Sequence, residues 1–307
     1  MPELPEVETV RAGLESLVIP SAVERVDVVD VRGLRPTGGS EEAGVFEATL
    51  TGRQFTAINR RGKYLWFVLD DGTAMLAHLG MSGQFRVVDR EAPRHRHTRV
   101  VIGLGDDRDL RFLDQRTFGG LTLAPLIDGV PGPVAHIAPD PFEDSFDVDE
   151  VARRLRARRS TVKRSLLDQT LVSGVGNIYV DETLWRARRH PETPCSCLSQ
   201  RKAVELLETA REVMSEAITQ GGTSFDALYV NVNGESGYLD IDVERVEGSR
   251  AHEGRDCLCR ASAMRRQAIL RSDLARRALD KQLNGPAHLV AHRHKVGSRS
   301  LRGVACA

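Results

Sequence analysis

The chain has 307 residues, a formal net charge of zero at pH 7 and five cysteines. This length exceeds what one hydrophobic core usually serves, so we expect two domains and an appendage. No run of about 18 apolar residues occurs and the start lacks a basic-then-apolar signal, which argues against a membrane protein and leads us to expect a cytoplasmic one. Five cysteines are too few for a disulfide framework and predict thiols or metal ligands.

Charge is unevenly distributed although the total is zero. Residues 1–50 carry ten acidic and four basic residues, whereas residues 151–164 carry seven basic residues and no acidic one. From Arg260 to Arg302 there are eleven basic residues and two acidic ones. Basic stretches of this kind bind phosphates even when the net charge cancels. Solvated helix faces would give the same pattern, so charge alone does not separate the two interpretations.

The chain opens with Met-Pro-Glu-Leu-Pro-Glu-Val-Glu. Removal of the initiator methionine, which is usual before a small residue, would leave Pro2 with a free secondary amine. An α-amino group has a pKa of about 7.7–8.0, so part of it is neutral and nucleophilic at physiological pH. A secondary amine that attacks a sugar C1′ gives an iminium that stays cationic and acts as an electron sink. Glu3 and Glu6 supply nearby carboxylates for proton transfer. The alternative interpretation is an ordinary start whose glutamates lie at a helix N-terminus.

A helix is predicted first, followed by a β-rich region. Pro5 suits the first turn, and apolar residues recur at helical spacing from Val7 to Leu17. From Val23 to Leu123, short β-rich runs are separated by turn residues, which is typical of a β-sandwich or barrel. The predicted strands are VERVDVVDV, FEATLTG, QFTAINR, KYLWFVL, TAMLAHL, QFRVVD, TRVVIGL and LRFLD.

The second half of the chain is predicted to be helical. A Pro- and Gly-rich stretch, residues 125–141, predicts a linker. Asp147 and Ser160 are suited to cap helices, and Gly221-Gly222 is suited to end the last one. The predicted helices span Val148–Arg158, Ser160–Asp168, Ile178–Arg188 and Ser199–Thr219. The pattern as a whole predicts an α+β, multidomain fold.

Three motifs in the β-rich region are candidates for function. The Arg-Arg-Gly-Lys turn at residues 60–63 is either a basic surface turn or places Lys63 near a phosphate, where it would lower the pKa of the terminal amine. A lone methionine is more often a core residue than a wedge. Met81, however, lies in a glycine turn where burial is hard to arrange, so it suits a wedge that fills the gap left by an extruded base. Arg116 and Phe118 offer a hydrogen-bond donor and a second wedge.

The segment LDQTLVSGVGNIYVDE, residues 167–182, places two glycines between helices and Asn177 at the start of the second. Backbone N–H groups at that turn and the Asn177 amide could hold a phosphate at the positive end of the helix. A plain helix hairpin with a glycine turn is the alternative interpretation. Lys163 on the preceding basic helix is a further candidate for a phosphate contact.

Together these motifs, in their order, resemble those of the bacterial formamidopyrimidine-DNA glycosylases, and the resemblance covers about residues 1–256. It implies a catalytic β-sandwich domain with an opening helix (1–124), a linker (125–146), a helix–two-turn–helix domain with a lesion-capping loop (147–247) and a divergent zinc-finger-like tail (248–307). It also implies a monomeric, bifunctional enzyme of base excision repair that acts on double-stranded DNA. The implied activity is excision of 8-oxoguanine and formamidopyrimidines, followed by β,δ-elimination through a proline Schiff base.

The resemblance also assigns residues. Pro2, Glu3 and Lys63 match catalytic positions, with Glu6 in support. The residues that would contact or enter DNA are Met81, Arg116, Phe118, Lys163 and Asn177. A fragment at residues 265–272 is similar to the family's finger hairpin, in which Arg271 would be the inserting arginine, with its register off by one or two residues.

One departure from the family pattern is small: many members have Pro-Arg-Arg-Phe where this chain has Gln115-Arg116-Thr117-Phe118, with the arginine and phenylalanine in register. The main departures are in the tail. The family carries two Cys-x-x-Cys pairs that bind zinc, but here Cys257 and Cys259 are separated by one residue and no cysteine follows until Cys306. Zinc is therefore expected from the resemblance, whereas its ligand set is incomplete. A frameshift near the end of the gene or a zinc-free finger would both explain such a tail.

Two alternatives to this function remain open. One is an endonuclease VIII-like glycosylase for oxidised pyrimidines, although Leu4 and Val7 do not fit the usual start of that branch. The other is a catalytically weak protein that binds damaged DNA, disabled by its degenerate finger. The intact Pro2, Glu3 and Lys63 favour the enzyme.

Overall fold

The computed structural model describes residues 1–35 and 43–222. Cys257, Cys259, Arg271 and the predicted lesion-capping loop lie outside the described residues. No described helix is long and apolar enough to cross a membrane. In chain order the elements are α1 (Leu4–Val18), β1 (Ser21–Val28), α2 (Ala43–Leu50), β2 (Gln54–Arg61), β3 (Tyr64–Leu69), β4 (Thr73–His78), β5 (Gly83–Asp89), β6 (Thr98–Leu104), β7 (Arg108–Asp114), β8 (Gly120–Ile127), β9 (Val130–Pro131), α3 (Val148–Ala157), α4 (Val162–Leu166), α5 (Asn177–Arg186) and α6 (Gln200–Thr219).

The strands form the predicted β-sandwich. All described pairings are antiparallel, in the order β5-β7-β6-β1-β2-β3-β4-β8-β9. The first two residues of β1 pair with β2, and the strand pairs with β6 from Val23 onward, with a bulge between Val23 and Arg25. Strand β1 therefore belongs to both halves of the sheet. The two halves face each other across an aromatic core, in which the rings of Phe67 and Phe85 lie 5.4 Å apart.

One predicted strand was wrong. The run FEATLTG lies mostly in helix α2, which ends at Leu50. Phe46 and Leu50 are four residues apart and both fully buried, so they share one helix face that packs on the sandwich. The Glu47 carboxylate accepts a hydrogen bond from the Val28 backbone N–H at 2.8 Å. Burial of one helical face therefore decides the structure of this run, although its residue pattern had predicted a strand.

The sheet also continues into the predicted linker. Strand β8 reaches Ile127 and pairs with the short β9. Asp128 and Gly129 between them have φ values of 50° and 79°, as a two-residue type I′ hairpin turn requires. Beyond β9, Val134 and Ile137 pack on Trp66 in a small separate core. The first part of this Pro- and Gly-rich stretch is thus an ordered edge of the sandwich.

The predicted helices are confirmed with small changes of boundary. Asp147 caps α3 by accepting from the Glu150 N–H, and Gly221 and Gly222, both with positive φ, follow α6. Thr161, rather than Ser160, occupies the N-cap of the short α4. The four helices enclose a second core that contains the fully buried Tyr179.

Helix α1 contributes to both cores. Val7, Val10 and Leu14 lie in the sandwich core, whereas Leu4 is fully buried in the helical core. The Leu4 backbone N–H donates to the Gly174 carbonyl at 3.1 Å. The first turn of α1 is therefore fixed at the junction between the sandwich and the helices.

We expect Leu4→Ala to lower the free energy of unfolding by about 2–5 kcal/mol, because it opens a cavity in the helical core. Leu17→Ala is the matched control, since Leu17 lies on the same helix and is only partly buried against the sandwich. Urea denaturation followed by circular dichroism measures both changes. Equal losses for the two variants would contradict a role of Leu4 in the second core.

Candidate active site

A cavity of about 570 Å³ lies where the sandwich meets the helical domain. Three predicted site residues, Glu3, Lys63 and Asn177, line it together. Met1 also lines the cavity, while Pro2 is buried beside it. The other lining residues are Tyr64, His78, His136, Ile137, Leu167, Gln169, Thr170, Gly176 and Ile178.

The Glu3 carboxylate sits on the N-terminus of α5. It accepts backbone N–H groups from Gly176 at 2.8 Å, Ile178 at 2.9 Å and Tyr179 at 3.3 Å. These are groups that a helix leaves without partners in its first turn, and a carboxylate is favoured there by the helix dipole. Burial nevertheless raises the pKa of Glu3, against the effects of the Ile178 hydrogen bond and the Lys63 charge. Glu3 is thus a fixed carboxyl suited to proton transfer.

This arrangement alters the expected phosphate contact at the same turn. The N–H groups of Gly176, Ile178 and Tyr179 already donate to Glu3, so they do not serve as a free anion site. The Asn177 side chain is exposed at the cavity. Of the groups predicted to contact a phosphate at this turn, the Asn177 side chain is the one that stays available.

Glu6 supports Glu3 from within α1. Its Oε2 accepts the Glu3 backbone N–H at 3.0 Å, and its Oε1 accepts the Tyr179 hydroxyl at 2.7 Å. Glu6 is buried and does not line the cavity. Its carboxylate ties the start of α1 to α5, which makes a positioning role more suitable than direct proton transfer.

Lys63 is held by a turn anchored in a buried ion network. Arg60 contacts Glu8 at 2.8 Å and Asp140 at 2.6 Å, and Asp140 also accepts the Gly62 N–H at 3.0 Å. Burial lowers the pKa of Lys63, while the charges of Glu3 and Glu6 oppose this effect. The turn therefore presents a half-buried ammonium group to the same cavity as Glu3.

Sequence reasoning missed His78. Its Nδ1 accepts the Gly80 N–H at 3.1 Å, which leaves Nε2 to carry the proton of the neutral ring. Burial, with the charges of Arg35 and Lys63, lowers the pKa of His78 to about 4. It is therefore a neutral donor at the cavity. His78 could have been found from the sequence, because it lies three residues before Met81 in the same motif. We interpreted that motif only in terms of the methionine.

The three predicted wedge residues come from adjacent loops. Phe118 is 48% exposed, and the Arg116 guanidinium carbon lies 5.3 Å from the centre of its ring. Met81 is half-buried in the neighbouring turn. A Cβ placed on Gly80 would lie 2.3 Å from the Phe118 carbonyl carbon, which shows how closely the two backbones approach.

The remaining candidates lie apart from the cavity. The Lys163 ammonium is paired with Asp181 at 2.6 Å and is only partly exposed. Cys195 is buried with its sulfur 3.2 Å from the Ser165 hydroxyl, and Cys197 is exposed. Among residues 1–35 and 43–222, no group of three His, Cys, Asp or Glu residues is arranged to hold a metal ion.

Arg116 and Phe118 lie on the loop that follows β7, and Phe118 is exposed. The cavity is lined by a carboxyl suited to proton transfer, an ammonium group and a neutral imidazole. An enzyme that acts on a base in duplex DNA must extrude the nucleotide and fill the gap, and this site offers parts for both tasks. The fold and the site are therefore of the kind that a DNA glycosylase needs.

The chain belongs to the formamidopyrimidine-DNA glycosylase family. Residues 1–121 match the formamidopyrimidine-DNA glycosylase N-terminal domain, and residues 137–227 match the formamidopyrimidine-DNA glycosylase H2TH domain. The formamidopyrimidine-DNA glycosylase of Nocardioides sp. is 51% identical over 278 residues, covering 88% of this chain and 90% of that protein. That of Rhodococcus jostii is 50% identical over 277 residues, covering 88% and 92%.

Solved structures of a relative agree with this assignment. The Lactococcus lactis enzyme in complex with DNA that contains an abasic site has a TM-score of 0.66 and 32% identity, and the match covers 77% of this chain and 85% of that one. Its complex with DNA that contains FAPY-dG gives the same four values.

Proposed function

We propose that this protein excises oxidised purines, 8-oxoguanine and formamidopyrimidines, from duplex DNA and then cleaves the abasic site through the Pro2 amine. The observation that carries the proposal is the convergence of Glu3, Lys63 and the first residue of the chain on one cavity. The names of the curated relatives and the abasic and FAPY-dG DNA bound by the Lactococcus lactis enzyme support the substrate class. We also propose that the enzyme acts as a cytoplasmic monomer.

In the proposed reaction, loss of Met1 frees the Pro2 nitrogen at the cavity. Its lone pair forms a bond to C1′ as the bond from C1′ to the base breaks, and the base leaves with a proton. Transfer of the amine proton to O4′ then opens the sugar ring and gives the cationic iminium. Removal of a C2′ proton expels the 3′ phosphate, and a second elimination expels the 5′ phosphate. Glu3, whose pKa burial raises, is the group placed to move protons in these steps.

We propose that three residues around the cavity contact the DNA backbone phosphates beside the lesion. Lys63 supplies a charge, the neutral His78 supplies an N–H donor, and Asn177 supplies an exposed amide. Such contacts fix the position of the strand and carry no sequence information. We propose Met81, Arg116 and Phe118 as the residues that fill the gap left by the everted base.

Lys63→Met is expected to move the acidic limb of the pH profile of abasic-site cleavage to higher pH, by up to about one unit. The Lys63 cation disfavours protonation of a nearby amine, so its loss raises the amine pKa and less free amine remains at a given pH. Lys202→Met, at an exposed position on α6, is the control. An unchanged limb in the Lys63 variant would contradict this role.

Zinc is not given a role in the proposed chemistry. The sequence supplies Cys257 and Cys259 in place of the family's two Cys-x-x-Cys pairs, and this set does not fit a tetrahedral four-cysteine site. The steps above depend on the sandwich and the helical domain.

Borohydride trapping on a duplex with 8-oxoguanine opposite cytosine tests the proposed function, with mass spectrometry to locate the cross-link. We expect a covalent adduct at Pro2. An adduct formed only on an oxidised-pyrimidine duplex would assign the endonuclease VIII-like specificity instead. Salt-dependent binding without an adduct on either duplex, once loss of Met1 is verified, would indicate a DNA-binding protein without the activity.

A further inference from the structure

One buried carboxylate at the end of β7 organises both loops that carry the wedge residues. Asp114 is 1% exposed. Its Oδ1 accepts the Ser82 hydroxyl at 2.5 Å and the Arg116 backbone N–H at 3.1 Å, while its Oδ2 accepts the Gly119 N–H at 2.7 Å. The carboxylate thus bonds to the turn that holds Met81 and to both ends of the segment that holds Arg116 and Phe118.

Ser82 closes this arrangement. Its oxygen accepts the Arg116 N–H at 2.9 Å while its hydroxyl donates to Asp114. A backbone group of one loop is therefore bonded to a side chain of the other, with the carboxylate bonded to both. Charge-assisted hydrogen bonds of this kind are the stronger ones, and they are strongest when water is excluded.

The segment that Asp114 holds has an unusual backbone. Thr117, between Arg116 and Phe118, has a φ of 55°, in the left-handed region that β-branched residues rarely adopt. A residue persists in that conformation only where its surroundings impose it. The bonds from Asp114 to the N–H groups of Arg116 and Gly119 lie on either side of Thr117 and supply that constraint.

We infer that Asp114 is the positioning residue for gap filling: it holds Met81, Arg116 and Phe118 in one geometry so that they enter the duplex together. This inference rests on the proposed function for its biological purpose. In physical terms, Met81, Arg116 and Phe118 lose their common geometry without this carboxylate, whereas the chemistry at Pro2 does not need it.

The test uses two readouts on full-length protein. The first is the fluorescence of 2-aminopurine placed opposite a tetrahydrofuran abasic analogue, which reports on the orphaned base without requiring catalysis. The second is the ratio of borohydride-trapping rates on duplex and on single-stranded abasic DNA. For Asp114→Ala we expect about a tenfold or greater loss of the fluorescence response and of the trapping ratio, because the buried Gly119 N–H and the Ser82 hydroxyl lose their acceptor. Trapping on the single strand should stay within about twofold.

Conservative variants separate positioning from a loss of folding. Asp114→Asn keeps one acceptor oxygen for the Gly119 N–H and can donate its amide to Ser82, which still accepts the Arg116 N–H. We therefore expect most of both responses to be retained. Ser82→Ala combined with Asp114→Asn removes that compensation and should resemble Asp114→Ala. Asp109→Ala is the matched control, because Asp109 is equally buried on β7 but pairs with Arg25 and Arg111 at the other end of the strand.

The outcomes distinguish the inference from the proposed function. Equal losses on duplex and single-stranded DNA, or no loss in Asp114→Ala, would overturn the positioning role. A wild-type protein that traps on DNA but gives no fluorescence response would also overturn it and leave the proposed function standing. A fluorescence response that depends on Asp114, in a protein that never traps, would support the positioning role and refute the proposed function.

Discussion

Pro2→Gly is expected to lower the rate of strand cleavage at an abasic site by at least about 100-fold, equivalent to about 2.7 kcal/mol, and to remove the borohydride-trapped adduct. The secondary amine of proline gives an iminium that is cationic without further protonation. A glycine amine gives an imine that can lose its proton and with it the electron sink.

The Pro2→Gly comparison is well matched because glycine, like proline, permits removal of Met1. Mass spectrometry of both purified proteins checks that the mature N-terminus is position 2. Nicking of an abasic duplex by the variant at the wild-type rate would refute the nucleophilic role of Pro2.

Gly176→Ala is expected to lower the single-turnover rate of base excision by about 100-fold, since displacement of a catalytic group by about 1 Å has an effect of that size. A Cβ on Gly176 would lie 2.3 Å from the Glu3 carboxyl carbon and 2.4 Å from its Oε1. The Gly176 backbone is extended, with φ −126° and ψ −164°, so alanine adopts it without strain. The substitution therefore acts by pushing Glu3 away from the N-terminus of α5.

Gly44→Ala provides the control for this prediction, because a Cβ there meets no atom within 4 Å. Thermal unfolding followed by circular dichroism checks that both variants are folded. Excision by Gly176→Ala at the rate of the Gly44 variant would show that the position of Glu3 on α5 is not needed for the reaction.

Much of the fold could be predicted from the sequence. Apolar spacing predicted α1 and the helices of the second domain, and alternating runs predicted the sandwich. These features are local, since each depends on the periodicity and turn residues of a short segment. The same local reasoning failed for Phe46–Leu50, which was predicted as a strand but forms a helix because one of its faces is buried. It also failed for Asp128-Gly129, which form a hairpin turn within a segment that was predicted to be a linker.

The candidate site was predicted as residue types and not as an arrangement. Motifs identified Glu3, Lys63, Arg116 and Phe118, and the structure adds what each side chain contacts. His78 and Asp114 lie in the same motifs as Met81 and Arg116, but their roles could not be predicted because they depend on a cavity and on loops that meet only in the folded chain.

The sequence by itself determined most of the elements in their order and placed Pro2, Glu3 and Glu6 close together in the chain. Only the tertiary structure decided that Glu3 caps α5, a partner 173 residues away, and that the N–H groups of that helix are therefore taken. The physical reason is that hydrogen bonding and burial of a charged group depend on neighbours in space. Local periodicity determines which segments form helices and strands. The packing of α1 between two cores determines which groups surround the Glu3 carboxylate.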